Sequence, residues 1–234
     1  MKNNKVSSYR RQAASFIILF FIAIFLSSCA GQDTEQGFFK SSSDVSSYVH
    51  SEKPLSKVKK ILLIPLSEYK DKLHKEAAVE CPLTKEVFLT GTVSKTSQEF
   101  LTNALFARID GVEGIVVMKG YKKDVSVKNA YDEAKKGGYD AVLTGFIYRY
   151  EDRVGASWSA VKPASVGYSI ILVSGTTGEV LWKLTYKETQ QALSGELQSA
   201  GTFIKRGVKW KSADELAIYG LNEGTKKLLK ILAK

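Results

Sequence analysis

The stretch YDAVLTGFIYRY, residues 139–150, decides the fold predicted for this chain. It contains Ala141-Val142-Leu143, a short apolar run that is typical of a strand buried on both faces. From Thr144 onward the residues follow a period of two, which indicates an antiparallel strand. The stretch therefore predicts one strand that joins the parallel part of a sheet to its antiparallel part.

The segments ahead of this stretch predict the parallel part of the sheet. Residues 61–65 form an apolar run that ends at a proline, and residues 115–118 form a second apolar run, so each predicts a buried strand. Residues 94–109 and 127–136 carry apolar positions at helical spacing and predict helices. The order strand, helix, strand, helix, strand predicts a parallel core.

The ends of these helices are marked in the sequence. Ser94 or Thr96 can cap the first helix, and Glu99 stands three residues after Thr96, which is the spacing of a capping box. A glycine pair at 137–138 ends the second helix. The charged stretch 68–80, ahead of the first helix, favours a further short helix.

The segments after the deciding stretch predict an antiparallel meander. Residues 165–173 and 180–187 read as strands, and the sequence GTTG at 175–178 makes the turn between them. Trp182 falls on the apolar face of its strand, which predicts a place in the core.

A helix closes the domain. Ser212 can cap it, and Glu215 stands at the capping-box position. The predicted fold class is therefore α/β: a single small sandwich of two or three layers over residues 58–234. Its mixed sheet starts with parallel strands alternating with helices, continues as an antiparallel meander, and is followed by the carboxy-terminal helix.

The amino-terminal residues predict export and lipidation. Residues 1–28 combine a basic start with an apolar run that is too short to span a membrane comfortably, as in a signal peptide. The sequence LSSCA around Cys29 looks like a bacterial lipobox, in which the cysteine thiol is acylated and the peptide is cut just before it. Ala30 favours sorting to the outer membrane, facing the periplasm. Residues 29–57 are then expected to form a flexible tether.

The cysteine and histidine counts narrow the chemistry. The sequence has two cysteines, Cys29 and Cys81. If Cys29 is acylated, Cys81 has no cysteine left to pair with, and no intrachain disulfide can form. The two histidines, His50 and His74, stand in no spacing that suits a metal. No cofactor is expected beyond the covalent lipid on Cys29. The net charge of +10 does not indicate nucleic acid as a partner, because an exported lipoprotein occupies a compartment without it. The oligomeric state stays open.

Three segments carry a resemblance to a known group of proteins. The strand at 60–65, the sequence AVLTG at 141–145 and the sequence TGEVLW at 177–182 resemble the envelope lipoproteins related to the curli-secretion channel subunit and to the outer-membrane activator of penicillin-binding proteins. The amino-terminal domain of the Tol-system propeller protein has a similar layout. The resemblance implies a small α/β sandwich and a non-catalytic role in binding other envelope proteins. It transfers no catalytic residue to this chain.

Two segments are candidate binding surfaces. The connection 151–164 is longer than a hairpin needs, and the segment 202–211 interleaves cations with aromatic residues. Each tryptophan here has a packing role as its alternative, and the cations of the second segment, Lys205, Arg206, Lys209 and Lys211, have a solvated face as their alternative. The candidate partner-binding residues are Arg153, Trp158, Lys162, Lys205, Arg206 and Trp210.

The sequence leaves the function with three interpretations. The first is a membrane-anchored, non-catalytic accessory protein that binds an envelope protein or a cell-wall component. The second is an envelope hydrolase with Cys81 or a serine as nucleophile, which the scarcity of histidine disfavours. The third is a carrier of a small ligand in an apolar pocket beside the meander.

Overall fold

A mixed sheet forms the centre of the domain. The computed structural model describes residues 43–50, 55–70, 77–121, 124–190 and 209–233. Within these residues the sheet has seven strands in the order β1-β11-β10-β7-β2-β6, with β3 also beside β7. Its strands are β1 (Ser43–Val49), β2 (Lys60–Leu63), β3 (Ser67–Glu68), β6 (Val116–Lys119), β7 (Ala141–Glu151), β10 (Ser165–Ser174) and β11 (Val180–Thr189).

Two small hairpins and three helices complete the described part of the chain. The hairpins are β4–β5, made of Ala78–Glu80 and Val87–Leu89, and β8–β9, made of Val154–Ala156 and Ser159–Lys162. The helices are α1 (Lys95–Asp110), α2 (Val127–Gly137) and α3 (Ala213–Leu232).

Strand β7 joins the two parts of the sheet, as the sequence predicts. It pairs in parallel with β2, which itself pairs in parallel with β6, and it pairs antiparallel with β10. Strand β10 then pairs antiparallel with β11, so β7, β10 and β11 form the predicted meander. The predicted α/β class with a mixed sheet is therefore confirmed.

Helices cover both faces of the sheet. Successive side chains of β7 point to opposite faces and therefore belong to two different cores. Leu143 belongs to the larger core, with Leu101 of α1 and Leu221 of α3. Val142 belongs to a smaller core, with Ala134 of α2. The domain therefore has three layers where α2 covers the sheet. Trp182 lies in the larger core with none of its surface exposed, as predicted.

The helix caps confirm most of the predicted ends. Ser212 caps α3 and forms a capping box with Glu215. Gly138 ends α2 in the left-handed conformation, with φ of 61°. At α1 the cap is Ser94, and its partner in the capping box is Ser97 rather than the predicted pair Thr96 and Glu99.

Strand β1 corrects the predicted extent of the tether. Residues 43–49 pair antiparallel with β11 along their whole length, and Leu55 is fully buried in the larger core. Trp182 donates a hydrogen bond from Nε1 to Ser47 Oγ at 2.9 Å. The prediction of a flexible tether as far as residue 57 is therefore wrong for these residues, because a serine-rich segment can serve as an edge strand when only a few of its side chains need burial.

The short helix expected at 68–80 is also wrong at both of its ends. Glu68 belongs to β3 and residues 78–80 form β4, while residues 71–76 lie outside the described part of the chain. Backbone pairing explains the difference, since β4 lies opposite β5 and β3 lies beside β7.

Candidate contact surface at the β8–β9 hairpin

The predicted long connection at 151–164 is an ordered hairpin that leaves the end of β7 and returns to the start of β10. Its two strands pair antiparallel, with Ala156 opposite Ser159 and Trp158 in the turn between them. The Trp158 side chain is 80% exposed, and Val161 of β9 is 87% exposed. A large aromatic side chain is thus presented to solvent on paired backbone.

A glycine fixes the shape of this hairpin. Gly155 has φ of +108°, a conformation that residues with a side chain rarely adopt. A Cβ atom at this position would lie 2.6 Å from the Ser159 carbonyl oxygen. The pairing register also shifts between Val154 and Gly155. The close approach of the two strands therefore depends on the missing side chain.

Asp152 connects the base of the hairpin to helix α3. Its Oδ1 atom accepts hydrogen bonds from the backbone N–H of Arg153 at 2.8 Å and of Ala213, the first residue of α3, at 3.0 Å. A carboxylate at this place also interacts favourably with the amino-terminal end of the helix dipole. The hairpin base and the start of the helix are therefore held together.

Two further contacts stabilise the same corner of the domain, where the β8–β9 hairpin meets the start of α3. Tyr150 donates from its hydroxyl to Asp214 Oδ1 at 2.6 Å. Burial and this hydrogen bond raise the pKa of Tyr150, so the hydroxyl stays a donor at neutral pH. At the tip of the hairpin, the Ser157 carbonyl accepts a hydrogen bond from the backbone N–H of Trp210 at 2.7 Å.

Lys162 and Glu151 form an ion pair at the base of the hairpin. Lys162 Nζ lies 2.9 Å from Glu151 Oε2, and Glu151 Oε1 accepts a hydrogen bond from Thr92 N at 3.1 Å. Burial raises the pKa of Glu151, but the hydrogen bonds from Lys162 and Thr92 outweigh it and the pKa lies below its ordinary value. The backbone N–H of Ser212 likewise lowers the pKa of Glu215, against a smaller effect of burial. Both carboxylates are therefore ionised at neutral pH.

The structure brings together parts of the two segments singled out in the sequence. Arg153, Trp158 and Lys162 lie on or beside the β8–β9 hairpin, and Trp210 meets its tip through the backbone. Lys162 forms an ion pair with Glu151. Lys205 and Arg206 lie outside the described residues, as does Cys29, and their roles stay predictions.

Sequence reasoning missed three residues of this corner. Val154 and Val161 are exposed apolar side chains of the hairpin, 55% and 87% accessible, and Asp152 connects it to α3. The available signal for a hairpin inside the long connection was the sequence VGASWSAV at 154–161, in which two valines flank a glycine and other small residues. The role of Asp152 depends on a contact 61 residues away in sequence, which no local pattern could supply.

Cys81, the candidate nucleophile of the hydrolase interpretation, is fully buried. It lies in a small core with Val79, Phe88 and Tyr148. A substrate could not reach the thiol without opening this core. In the described part of the chain, no group of three or more histidine, cysteine, aspartate or glutamate side chains is arranged to hold a metal ion.

A cleft of about 290 Å³ lies between α2 and the end of β6. Leu62 and Ile64 form apolar parts of its lining, and Glu133 and Lys136 contribute charged side chains. It is on the β2–β6 side of the sheet rather than beside the meander, where the small-ligand interpretation expected a pocket. Among the described residues, no helix combines the length and the apolar character needed to cross a bilayer.

Comparison with known proteins finds similarity in solved structures alone. No protein-family model matches the chain, and no curated protein matches it. The PelC dodecamer from Paraburkholderia phytofirmans is similar at 14% identity, with a TM-score of 0.44 over 76% of this chain and 94% of that chain. Lipoprotein GNA1162 from Neisseria meningitidis is similar at 15% identity, with a TM-score of 0.35 over 64% of this chain and 93% of that chain.

A further similar structure is the LpoB C-terminal domain from Salmonella enterica. Its identity is 15% and its TM-score is 0.28, over 60% of this chain and 95% of that chain. One of these similar structures, GNA1162, is described as a lipoprotein. With identities of 14–15% and TM-scores no higher than 0.44, these similarities assign no functional residue to this chain.

Proposed function

We propose that this chain is a lipid-anchored lipoprotein of the bacterial cell envelope, located at the outer membrane and facing the periplasm. We propose further that it works by contact rather than by catalysis. The lipobox-like sequence around Cys29 supports the anchor. The burial of Cys81 in an aromatic core argues against its use as a nucleophile. The proposed role is that of an accessory protein, which holds its domain in the periplasm and contacts another envelope component.

The observation that carries the proposal is the exposure of Trp158 on an ordered hairpin. An exposed large aromatic side chain costs solubility, and tryptophan is the side chain most enriched where surfaces make strong contacts. Gly155 and Asp152 give the hairpin a defined shape and a fixed base. A preorganised aromatic side chain loses little conformational entropy on contact. The β8–β9 hairpin is therefore the proposed contact surface.

The anchor is tested by fractionation of cells that express the full chain. We expect wild-type protein in the membrane fraction, with a lipid mass on the processed amino-terminal cysteine. The Cys29→Ala variant should remain uncleaved or become soluble. A processed wild-type protein without a lipid on Cys29 would contradict the anchor.

The contact surface is tested by photo-crosslinking in the same cells. A benzoylphenylalanine in place of Trp158 should give crosslinks to an envelope component, whether protein, wall polymer or lipid. The matched control carries the same group in place of Glu113, an exposed residue in the α1–β6 loop, and should give few crosslinks. Equal crosslinking from the two positions would remove the hairpin from the proposal.

A further inference from the structure

The described chain enters the domain at the same end as the β8–β9 hairpin. Ser43, the first residue of β1, lies opposite Glu188 of β11. Glu188 lies opposite Val166 of β10, and Val166 lies opposite Tyr150 of β7. Ser43 and Tyr150 therefore share one row across the sheet, about 14 Å apart, since neighbouring strands are about 4.8 Å apart. The hairpin begins four residues beyond Tyr150.

The chain between Cys29 and this entry point is short. Residues 30–42 separate the two. Even fully extended, this segment spans at most roughly 50 Å. A lipid on Cys29 would therefore hold the entry end of the domain, and the hairpin with it, within about 50 Å of the bilayer, which raises the effective concentration of lipid surface around the hairpin. A contact that is weak by itself then becomes well populated.

The hairpin has the composition of an element that lies in a membrane interface. Trp158 is 80% exposed, Val161 is 87% exposed and Val154 is 55% exposed. Tryptophan prefers the headgroup level of a bilayer, because its ring is apolar and its N–H is polar. Backbone groups that approach the hydrocarbon boundary do so at lower cost when they are already paired, because water becomes scarce there. Here the β8–β9 pairing provides partners, and the Ser157 carbonyl accepts a hydrogen bond from Trp210.

The charges near the hairpin do not favour an anionic surface over a neutral one. Two lysines near the hairpin face carboxylates: Lys162 faces Glu151, and Lys211 faces Glu215. Because these two charges are compensated, we expect the attraction to lipid to come mainly from the apolar side chains. This distinguishes the hairpin from a polybasic patch, whose binding depends on anionic lipid.

We propose that Trp158, Val154 and Val161 of the β8–β9 hairpin insert into the headgroup region of the bilayer that carries the lipid anchor, so that the domain stands on the membrane with its hairpin end down. This inference rests on the proposed anchor at Cys29. It specifies the envelope component that the hairpin contacts as the lipid surface itself, and it leaves the opposite end of the sheet facing away from the membrane.

The test uses the full lipidated chain reconstituted into vesicles of phosphatidylethanolamine and phosphatidylglycerol that contain a spin-labelled lipid. A fluorescent dye is attached at Val161→Cys in one sample and at Glu113→Cys in the control. Cys81 is buried and Cys29 carries the lipid, so the dye goes to the introduced thiol. Glu113 follows α1 at the opposite end of the sheet.

The expected result is that the spin-labelled lipid quenches the dye at 161 at least about threefold more strongly than the dye at 113. Adding Trp158→Ala to the 161 sample should reduce this difference. Vesicles in which phosphatidylcholine replaces both phospholipids, with the same fraction of spin-labelled lipid, should give the same quenching within about twofold, since Lys162 and Lys211 already face carboxylates. Quenching that requires phosphatidylglycerol would overturn the apolar mechanism.

Two failures are distinguishable. If the protein floats with the vesicles but the dyes at 161 and 113 are quenched equally, the hairpin does not enter the bilayer and the inference is overturned, while the anchor stands. Crosslinks from position 158 to a protein alone would have the same meaning. If the wild-type protein does not float with the vesicles at all, the anchor fails and the inference fails with it.

Discussion

The two small hairpins of this domain have the same secondary structure and opposite surroundings. The β4–β5 hairpin lies against the main sheet, and its Phe88 is 1% exposed and stacks on Tyr148 of β7 at 4.0 Å between ring centroids. The β8–β9 hairpin follows the carboxy-terminal end of the same strand and leaves Trp158 80% exposed. Hairpin formation alone therefore does not determine whether an aromatic side chain becomes core or surface.

What separates the hairpins is the surface available beneath each of them. Strand β7 offers Phe146 and Tyr148 on the face that β4–β5 covers, and Cys81 belongs to the same cluster. Beyond Glu151, β7 has ended, so the β8–β9 hairpin has no sheet face to cover. Its fastening is polar instead, through Asp152 and the Ser157 carbonyl. The first hairpin is stabilised by burial, and the second is positioned by hydrogen bonds.

The largest expected effect is on the first hairpin. Phe88→Ala removes a buried ring from its stack on Tyr148, so we expect the free energy of unfolding to fall by about 3 kcal/mol. Urea denaturation followed by circular dichroism measures this loss. Trp158→Ala, the matched change on the second hairpin, should stay within about 0.5 kcal/mol of wild type. Equal losses would show that both rings are buried in solution.

A change at Gly155 should disturb the second hairpin without unfolding the domain. Gly155→Ala places a Cβ atom 2.6 Å from the Ser159 carbonyl oxygen at a positive φ, so we expect a loss of about 1–2 kcal/mol. The local effect should be faster cleavage within 154–162 in limited proteolysis, identified by mass spectrometry. Gly138→Ala has a positive φ as well but no neighbouring atom within 4 Å, and should leave this cleavage unchanged.

Most of the main sheet could be predicted because its signals are local. Apolar runs, capping serines and the change of period near Thr144 gave the strands β2, β6, β7, β10 and β11 and the three described helices. Strand β1 could not be predicted in the same way. Its sequence offers serines, and its stability comes from pairing with β11, more than 130 residues away.

The candidate surface was only partly predictable for the same physical reason. The length of the 151–164 connection indicated a surface feature, and Trp158 is indeed exposed. Its ordered shape depends on Gly155 approaching Ser159 and on Asp152 reaching Ala213. Such contacts form only after distant elements have packed, so a sequence pattern cannot locate them.

The base of the second hairpin should show a pH-dependent contribution to stability. Glu151→Gln removes the charge that faces Lys162, so we expect a loss of about 1 kcal/mol at pH 7. Because the folded pKa of Glu151 lies below its ordinary value, its contribution is fully present above the unfolded pKa of about 4.5. The contribution disappears as the pH falls through the folded pKa. In urea denaturation, the difference in the free energy of unfolding between wild type and variant should therefore shrink as the pH is lowered from 7 to 3.

The smallest expected effect is at the ion pair of the first hairpin. Lys85 Nζ lies 3.3 Å from Glu80 Oε1, but the two side chains are 77% and 61% exposed, so water and salt screen the pair. Glu80→Gln should change the free energy of unfolding by less than about 0.5 kcal/mol, as measured by urea denaturation at pH 7. A loss as large as that of Glu151→Gln would contradict the view that this hairpin is stabilised by burial. The contrast between the two carboxylates then isolates what burial and a second hydrogen bond from Thr92 add to the same Lys–Glu contact.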